Sequence, residues 1–352
     1  MKSGLTLSFL IAALVMPSAA LAGRVVINAV GDIMLAGKGA EAYQRLGYDY
    51  PFAATASVLQ SGDLTMGNLE TPIAAGGAEF KDKMYRFRAE PKAAAALKKA
   101  GFAVLTMANN HMLDYGEAGL IETISILDRH GIRHNGAGTS LSEARKATII
   151  DCNGCKVAFL SYSLTYPEAF YARGRQAGTA PGYPLFYERD ISRAKADADY
   201  VIVSFHWGRE GETAPQAYQV ATARHAVDAG ADVVIGHHPH VLQGIESYKN
   251  SLIFYSLGNF TFGSWSRSSD RSIIARITLD SDIREAELIP INVLNREVRF
   301  QPVILKGRKG KEVIRRLRTI SIAMGTTIVD EHGRYLIDFN RAGKFVTKRE
   351  KP

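Results

Sequence analysis

Cysteine is almost absent from this chain of 352 residues: Cys152 and Cys155, in DCNGCKVAF, are its only two. With no second pair, a zinc ribbon is excluded. Asn153-Gly154 is a two-residue hairpin signal that would set the two cysteines across from each other. A thioredoxin-type motif would open a helix, whereas Lys156–Tyr162 reads as a strand, so a small structural disulfide in an oxidising compartment is the expectation. Long apolar runs are equally scarce. The one candidate, Leu5–Met16, is short for a bilayer-spanning helix, and no other stretch approaches that length. Internal repeats, low-complexity linkers and nucleic-acid motifs are also missing. One domain is therefore favoured, and no nucleic acid is expected as a partner.

What is present begins with MKSGLTLSFLIAALVMPSAALA, in which Lys2, an apolar core and Ala20-Leu21-Ala22 have the build of a secretory signal. Cleavage after Ala22 and a periplasmic or secreted protein are expected. No Cys follows that site, which argues against a lipid-anchored mature end. The apolar content of 46% is ample for a buried core. The formal charge of +8 is unevenly spread: Lys306–Arg318 holds seven basic residues against Glu312, and Arg341–Lys351 holds five against Glu350. The plain reading is a solvated helix face and tail. The functional alternative is contact with anionic envelope polymers or with lipid headgroups, a peripheral membrane contact.

Hydrophobic periodicity and turn residues mark strands at Arg24–Val30, Asp63–Gly67, Ala103–Met107, Lys156–Ser161, Tyr200–Phe205, Asp232–Ile235 and Leu252–Leu257. Helices are expected at Pro51–Gln60, Pro91–Ala100, Gly116–His130, Leu141–Arg145, Asp190–Ala198 and Pro215–Ala229. Tyr43–Tyr50 reads as loop, Asn135–Gly138 as a turn, and Tyr162–Tyr187 as a long irregular segment with the character of a lid or surface insertion. Thr71–Glu90 reads as extended, with Arg86 and Arg88 on one side. Beyond Phe260 the pattern changes to consecutive strands, Ile273–Leu279, Glu287–Val293 and Phe300–Leu305. A helix at Gly310–Met324 and a hairpin over Thr327–Phe345 follow. An α/β layered core with additional antiparallel strands is implied.

The apolar runs share one habit: they end in polar residues able to bind metal. Asp32, Glu70, Asn110 with His111, His206, and His238 with His240 each sit just past an expected strand. In VVIGHHPHVLQG, His238 and His240 would share a face if the backbone stayed strand-like. Parallel strands gather their carboxyl ends at one edge. A mixed set of carboxylate, amide and imidazole suits zinc, manganese or iron better than calcium.

The series GD-I-M-L, GNLETPI, ANNHMLDYG, HWGRE, GHHPHVLQG and YSLGNF resembles the motifs of the CapA (poly-γ-glutamate capsule synthesis) family, over roughly Val25 to Phe262. That family is similar to the calcineurin-like metallophosphoesterases. The resemblance implies a metallophosphatase-like sandwich of two β-sheets flanked by helices over residues 23–305. The basic helix and hairpin of residues 306–352 would pack on the same domain. It also implies one or two divalent metals (Mn, Zn or Fe) held by Asp32, Glu70, Asn110, His206, His238 and His240, with His111 protonating the leaving group. Where the phosphoesterases place a histidine two residues beyond the first aspartate, this chain has Met34. One metal position is then left with Asp32, Glu70 and His240, while the other has Glu70, Asn110, His206 and His238. His237 is read as a supporting or structural residue. Asp114 has two readings, the preferred one an N-cap of the next helix and the other an orienting partner of His111. Arg86, Arg88 and Arg209 are candidates for holding an anionic substrate.

Two functions follow as expectations. One is an exported metal-dependent hydrolase, phosphoesterase-like or cutting γ-glutamyl amides, acting on an anionic polymer or phosphoester. The other is a non-catalytic accessory of capsule or poly-γ-glutamate assembly that works with the envelope polymer-synthesis machinery.

Overall fold

A computed structural model describes residues 23–265, 269–280 and 282–339. The expected leader and the basic tail beyond residue 339 lie outside these. Along the chain the first strands are β1 (Val25–Met34), β2 (Leu64–Leu69), β3 (Phe102–Thr106) and β4 (Arg133–Asn135). Between them lie helices α1 (Ala40–Leu46), α2 (Ala56–Leu59), α3 (Lys92–Ala100) and α4 (Gly116–Arg129). The short β5 (Ala137–Gly138) and α5 (Leu141–Ala144) lead to a hairpin of β6 (Thr148–Cys152) and β7 (Cys155–Ser163). Then come β8 (Gly178–Thr179), α6 (Pro184–Asp197), β9 (Tyr200–His206), α7 (Ala217–Asp228) and β10 (Val233–His237). The remainder is mainly strand: β11 (Ile245–Tyr248), β12 (Ser251–Phe254), β13 (Asn259–Phe262), β14 (Arg271–Asp280) and β15 (Asp282–Asn292). Helix α8 (Asn295–Val298), β16 (Val303–Ile304), α9 (Gly307–Ile322) and a hairpin of β17 (Ile328–Glu331) and β18 (Arg334–Ile337) complete it.

Among the described residues one sheet runs β17-β18-β15-β14-β1-β2-β3-β4, with β13 also on β1 and β16 on β15; a second runs β11-β12-β10-β9-β7-β6. Their facing sides share one apolar core. Val25, Ile27, Ala29, Met66 and Val104 from the first sheet meet Val157, Phe159, Ile202, Val233 and Ile235 from the second. The outer face of the first sheet packs Val30, Ile33, Leu69 and Leu105 against Leu97 of α3 and Leu120 and Ile126 of α4. The outer face of the second packs Leu160, Val203 and Val234 against Ile191 of α6 and Ala223 of α7. The expected α/β sandwich of two sheets flanked by helices, with additional strands towards the C-terminus, is the architecture observed. Helix α9 joins the inter-sheet core through Val313, Ile314 and Leu317, and the last hairpin through Ile328, Tyr335 and Ile337.

Several local expectations need correction. Tyr43–Tyr50 is not loop throughout, since α1 takes in its first half, through Leu46, with Tyr43 buried. Helix α6 begins six residues before the expected Asp190, because Pro184 sits favourably in a first helical turn. Asn135–Gly138 is not a free turn, because Asn135 pairs in β4 and Ala137 pairs with Thr179 of β8. The Tyr162–Tyr187 segment is no loose insertion: Tyr162, Phe170, Ala172, Thr179 and Ala180 are buried in it. Cys152 and Cys155 do face each other across the Asn153-Gly154 turn. The expected disulfide is nonetheless not formed; both are free thiols, and the Cys155 sulfur donates to the Gly23 carbonyl.

Candidate metal centre

Strands β1, β2 and β3 run parallel, as do β7, β9, β10 and β12 in the other sheet. Their carboxyl ends bring Asp32, Glu70, Asn110, His111, His206, His238 and His240 to one edge of the sandwich. Asp32 lies inside β1 rather than beyond it. The strand continues to Met34 because Asp32 pairs with Asn68 on one side and Asn259 on the other. A register shift between Ala29 and Asp32 accompanies this. Gly31 makes it possible: a Cβ there would lie 1.8 Å from the Gly258 carbonyl oxygen, which accepts from Asp32 N at 3.0 Å.

His206 closes β9. His237 is the last residue of β10, and the strand-like path expected through His240 is not taken. His238 and His240 both have positive φ, 93° and 58°. They converge through a left-handed turn rather than through strand alternation, with ring centroids 5.7 Å apart. His206 and His238 lie 4.7 Å apart.

Asparagines hold these groups in place. Asn68 Nδ2 donates to Asp32 Oδ1 at 2.9 Å and to Glu70 Oε2 at 3.3 Å, and lies 3.3 Å from His206 Nδ1. Asn109 in turn donates to Asn68 Oδ1 and to the Leu69 carbonyl, and accepts from His111 N. Asn110 Oδ1 sits 2.9 Å from His206 Nε2. His240 Nδ1 lies 3.1 Å from Asp32 Oδ2 and 2.9 Å from Asn259 Oδ1, which leaves Nε2 turned towards Glu70, 3.8 Å away. Such outer partners fix ring orientation in metal sites.

The electrostatics are those of ionisable groups buried at close range. Burial, then Asp32, pushes the Glu70 carboxyl well above the usual carboxylate range. Burial would also raise Asp32, but hydrogen bonds from His237 and His240 outweigh it and hold the group well below that range. Burial and His240 drive His238 down to about 3. Burial acts downward on His240 too, yet Glu70 and Asp32 together bring it up to about 9.

The donor set fits a divalent transition metal. Two clusters, Glu70-His206-His238 and Asp32-Glu70-His240, each have their ligand atoms within 4.8 Å of one another. Glu70 Oε1 and His238 Nδ1 are buried there without a hydrogen-bond partner among the described residues. The first cluster holds three of the four residues expected at one metal position, and the second the three expected at the other. Met34 itself is buried with Ala36 and Phe262, and Phe87 packs against them, so an apolar wall stands where a further imidazole would come.

His111 stands beside this cluster with its ring 5.0 Å from that of Phe87. Its Nδ1 is 2.6 Å from Asp114 Oδ2. Asp114, fully buried, also accepts from Phe87 N and Lys83 Nζ, each at 2.8 Å. It is not the N-cap of α4; that position is Tyr115, without a side-chain cap. A one-residue offset separates the two roles, and only the fold decides between them. Burial lowers His111, with Asp114 opposing.

Lys83 is the residue sequence reasoning missed. Its Nζ reaches the Asn110 carbonyl, His111 Nδ1 and Asp114 Oδ1. Nothing in KDKMYRF distinguishes Lys83 from its neighbour Lys81. Asn68 and Asn109 sat within the motifs already singled out, next to the expected ligands. Among the arginines, Arg86 pairs with Glu79 at 3.2 Å, and Arg88 stacks on Tyr115 and donates to the Gly76 carbonyl. Arg209 lies 3.6 Å from Glu212 and is largely exposed.

The family model described as "Bacterial capsule synthesis protein PGA_cap" matches residues 26–264. The chain is 35% identical over 278 residues to the "Capsule biosynthesis protein CapA" of Bacillus anthracis, covering 77% of this chain and 68% of that one. It is 33% identical over 322 residues to the "PGA biosynthesis protein CapA" of Bacillus subtilis (strain 168), covering 91% and 83%. Among solved structures, the NAD nucleotidase of Haemophilus influenzae aligns over 84% of this chain and 62% of its own, at 12% identity and a TM-score of 0.47. A 5'-nucleotidase precursor from Thermus thermophilus aligns over 85% and 59%, also at 12% identity, with a TM-score of 0.45.

Proposed function

This chain belongs to the bacterial capsule synthesis family, and from that premise we propose that it is an exported metal-dependent hydrolase of capsule or poly-γ-glutamate metabolism. The observation that carries the reading is the Lys83-Asp114-His111 arrangement beside the ligand cluster. A metal that only braced the fold would not need a buried histidine, oriented by a buried carboxylate, at its edge.

Bound at Asp32, Glu70, Asn110, His206, His238 and His240, a divalent metal would supply Lewis-acid charge at the reacting bond and lower the pKa of water. The rest belongs to the chain. Asp114 fixes the His111 ring through Nδ1, leaving Nε2 to deliver a proton to the departing oxygen or nitrogen. Lys83 adds a cation next to that ring, suited to an anionic substrate, and Arg86 and Arg209 add charge farther out. Substrates of this chemistry are phosphodiesters and γ-glutamyl amides. The partner in the cell would be the polymer-synthesis machinery or its anionic product.

The experiment is turnover of bis-p-nitrophenyl phosphate and of a γ-glutamyl anilide by the mature protein, with and without EDTA. Turnover that chelation abolishes and added Mn²⁺ restores supports the hydrolase. Stoichiometric metal with no turnover, together with tight polyglutamate binding, supports an accessory role instead. That second reading is favoured by the apolar wall at Met34, which thins one metal position. Export is tested by fractionation: the protein should be recovered outside the cytoplasm, lacking residues 1–22.

A further inference from the structure

Resting on the reading of the strand-end cluster as a metal centre, we propose that Glu210 is a ligand of it. Its carboxylate, with His238 and His240, closes an outer metal position and makes good the histidine missing at Met34. The ligand atoms of Glu210, His238 and His240 all lie within 4.8 Å of one another. This third grouping shares His238 with the inner cluster of Glu70 and His206, and His240 with that of Asp32 and Glu70.

The backbone explains how an exposed loop residue reaches a buried site. After His206, the Trp207 ring is locked by stacking on Phe205 at 4.9 Å and by donating to the Tyr255 carbonyl. Gly208 then turns the chain at φ 82°, where a Cβ would crowd the Gln219 amide at 3.0 Å. Gly211, at φ 78°, donates its N–H to the Pro239 carbonyl at 2.8 Å. The loop carrying Glu210 is thereby tied to the turn carrying His238 and His240.

The Phe262 side of His240 is apolar. Met34, Ala36 and Phe262 line it, and the Phe262 ring lies 4.5 Å from that of His240. The further carboxylate within reach of His238 and His240 comes from the loop. Glu210 is exposed, and its carboxylate already acts on the charges of His240 and Lys83, so it stands where a metal cation would meet it. A solvent-facing carboxylate suits a position from which one ligand can exchange as substrate enters.

The test is titration of the metal-stripped full-length mature protein with Mn²⁺ and with Zn²⁺, read by calorimetry and by elemental analysis after gel filtration. Wild type should take two equivalents. Glu210→Gln and Glu210→Ala should keep the first unchanged and bind the second at least about tenfold more weakly. Glu212→Gln, in the same loop, should behave as wild type. Equal affinity for the second equivalent in wild type and both Glu210 variants overturns the proposal and leaves the inner centre standing. Uptake of a single equivalent by wild type and variants alike does the same. Wild type that takes up no metal overturns the centre as well. Glu210 is exposed, so matching thermal melts are expected for all variants.

Discussion

Five ligand candidates buried together have had their proton affinities pulled apart by burial and by one another. His238 sits down at about 3 and His240 up at about 9, while Glu70 is raised. His238 is therefore neutral across the working range and ready to ligate. His240 is protonated below about pH 9 in the metal-free chain, and a cation must displace that proton. The sign follows: affinity at the position that uses His240 rises with pH, about tenfold per unit, and levels off near 9. Glu70 belongs to both the Glu70-His206-His238 and the Asp32-Glu70-His240 clusters, so its protonation cancels in the ratio of those two. Calorimetric titrations at pH 6.5 and 8.5 should show the two affinities approaching each other as pH rises; parallel movement would remove His240 from the position it shares with Asp32 and Glu70. His111→Ala should lower phosphodiester turnover by about 10²- to 10⁴-fold while metal content stays constant, and unchanged turnover would exclude His111 as the acid. At this scale the acidic, amide and imidazole side chains that the fold gathers were legible as candidates because each falls at a strand end within a motif. Lys83 and the choice between the two roles of Asp114 were not, because both depend on how Thr71–Glu90 folds back over the Asn110-His111 turn.

The elements that deliver the ligands were legible as alternating apolar runs, and their ends were not. β1 was expected to stop at Val30. It continues to Met34 because Asn259 and Asn68 supply partners on both sides, a tertiary fact that no local pattern contains. The same holds for His238 and His240, whose positive φ values lie outside any strand period. Gly31 is where this argument can be tested. Gly31→Ala places a methyl carbon against the Gly258 carbonyl, so β1 and the Gly258-Asn259 segment must part. A loss of about 1–3 kcal/mol in urea unfolding is expected, together with weakened metal binding, since Asp32 follows directly. A variant as stable as wild type and fully metal-loaded would mean that the close approach is not needed.

At the scale of the molecule, two sheets share one core, and the basic helix α9 belongs to it. Its charged residues lie outside and Val313, Ile314 and Leu317 face in. Packing of this helix on the domain was expected, but its charge run, read as a solvated face, did not show which of its residues dock. Leu317→Ala should cost about 2–5 kcal/mol of stability, read as a lower urea midpoint with an unchanged slope. A solvated, undocked helix would leave the midpoint in place. The sandwich brings residues from successive strand ends to one edge, and the central claim is that they bind metal. The most direct measurement is elemental analysis of the purified mature protein beside a His206→Ala/His238→Ala variant of equal thermal stability. At least one equivalent of manganese, zinc or iron per chain, absent from the variant, is the predicted result. A wild type with no stoichiometric metal, or a variant that retains it in full, would contradict the account.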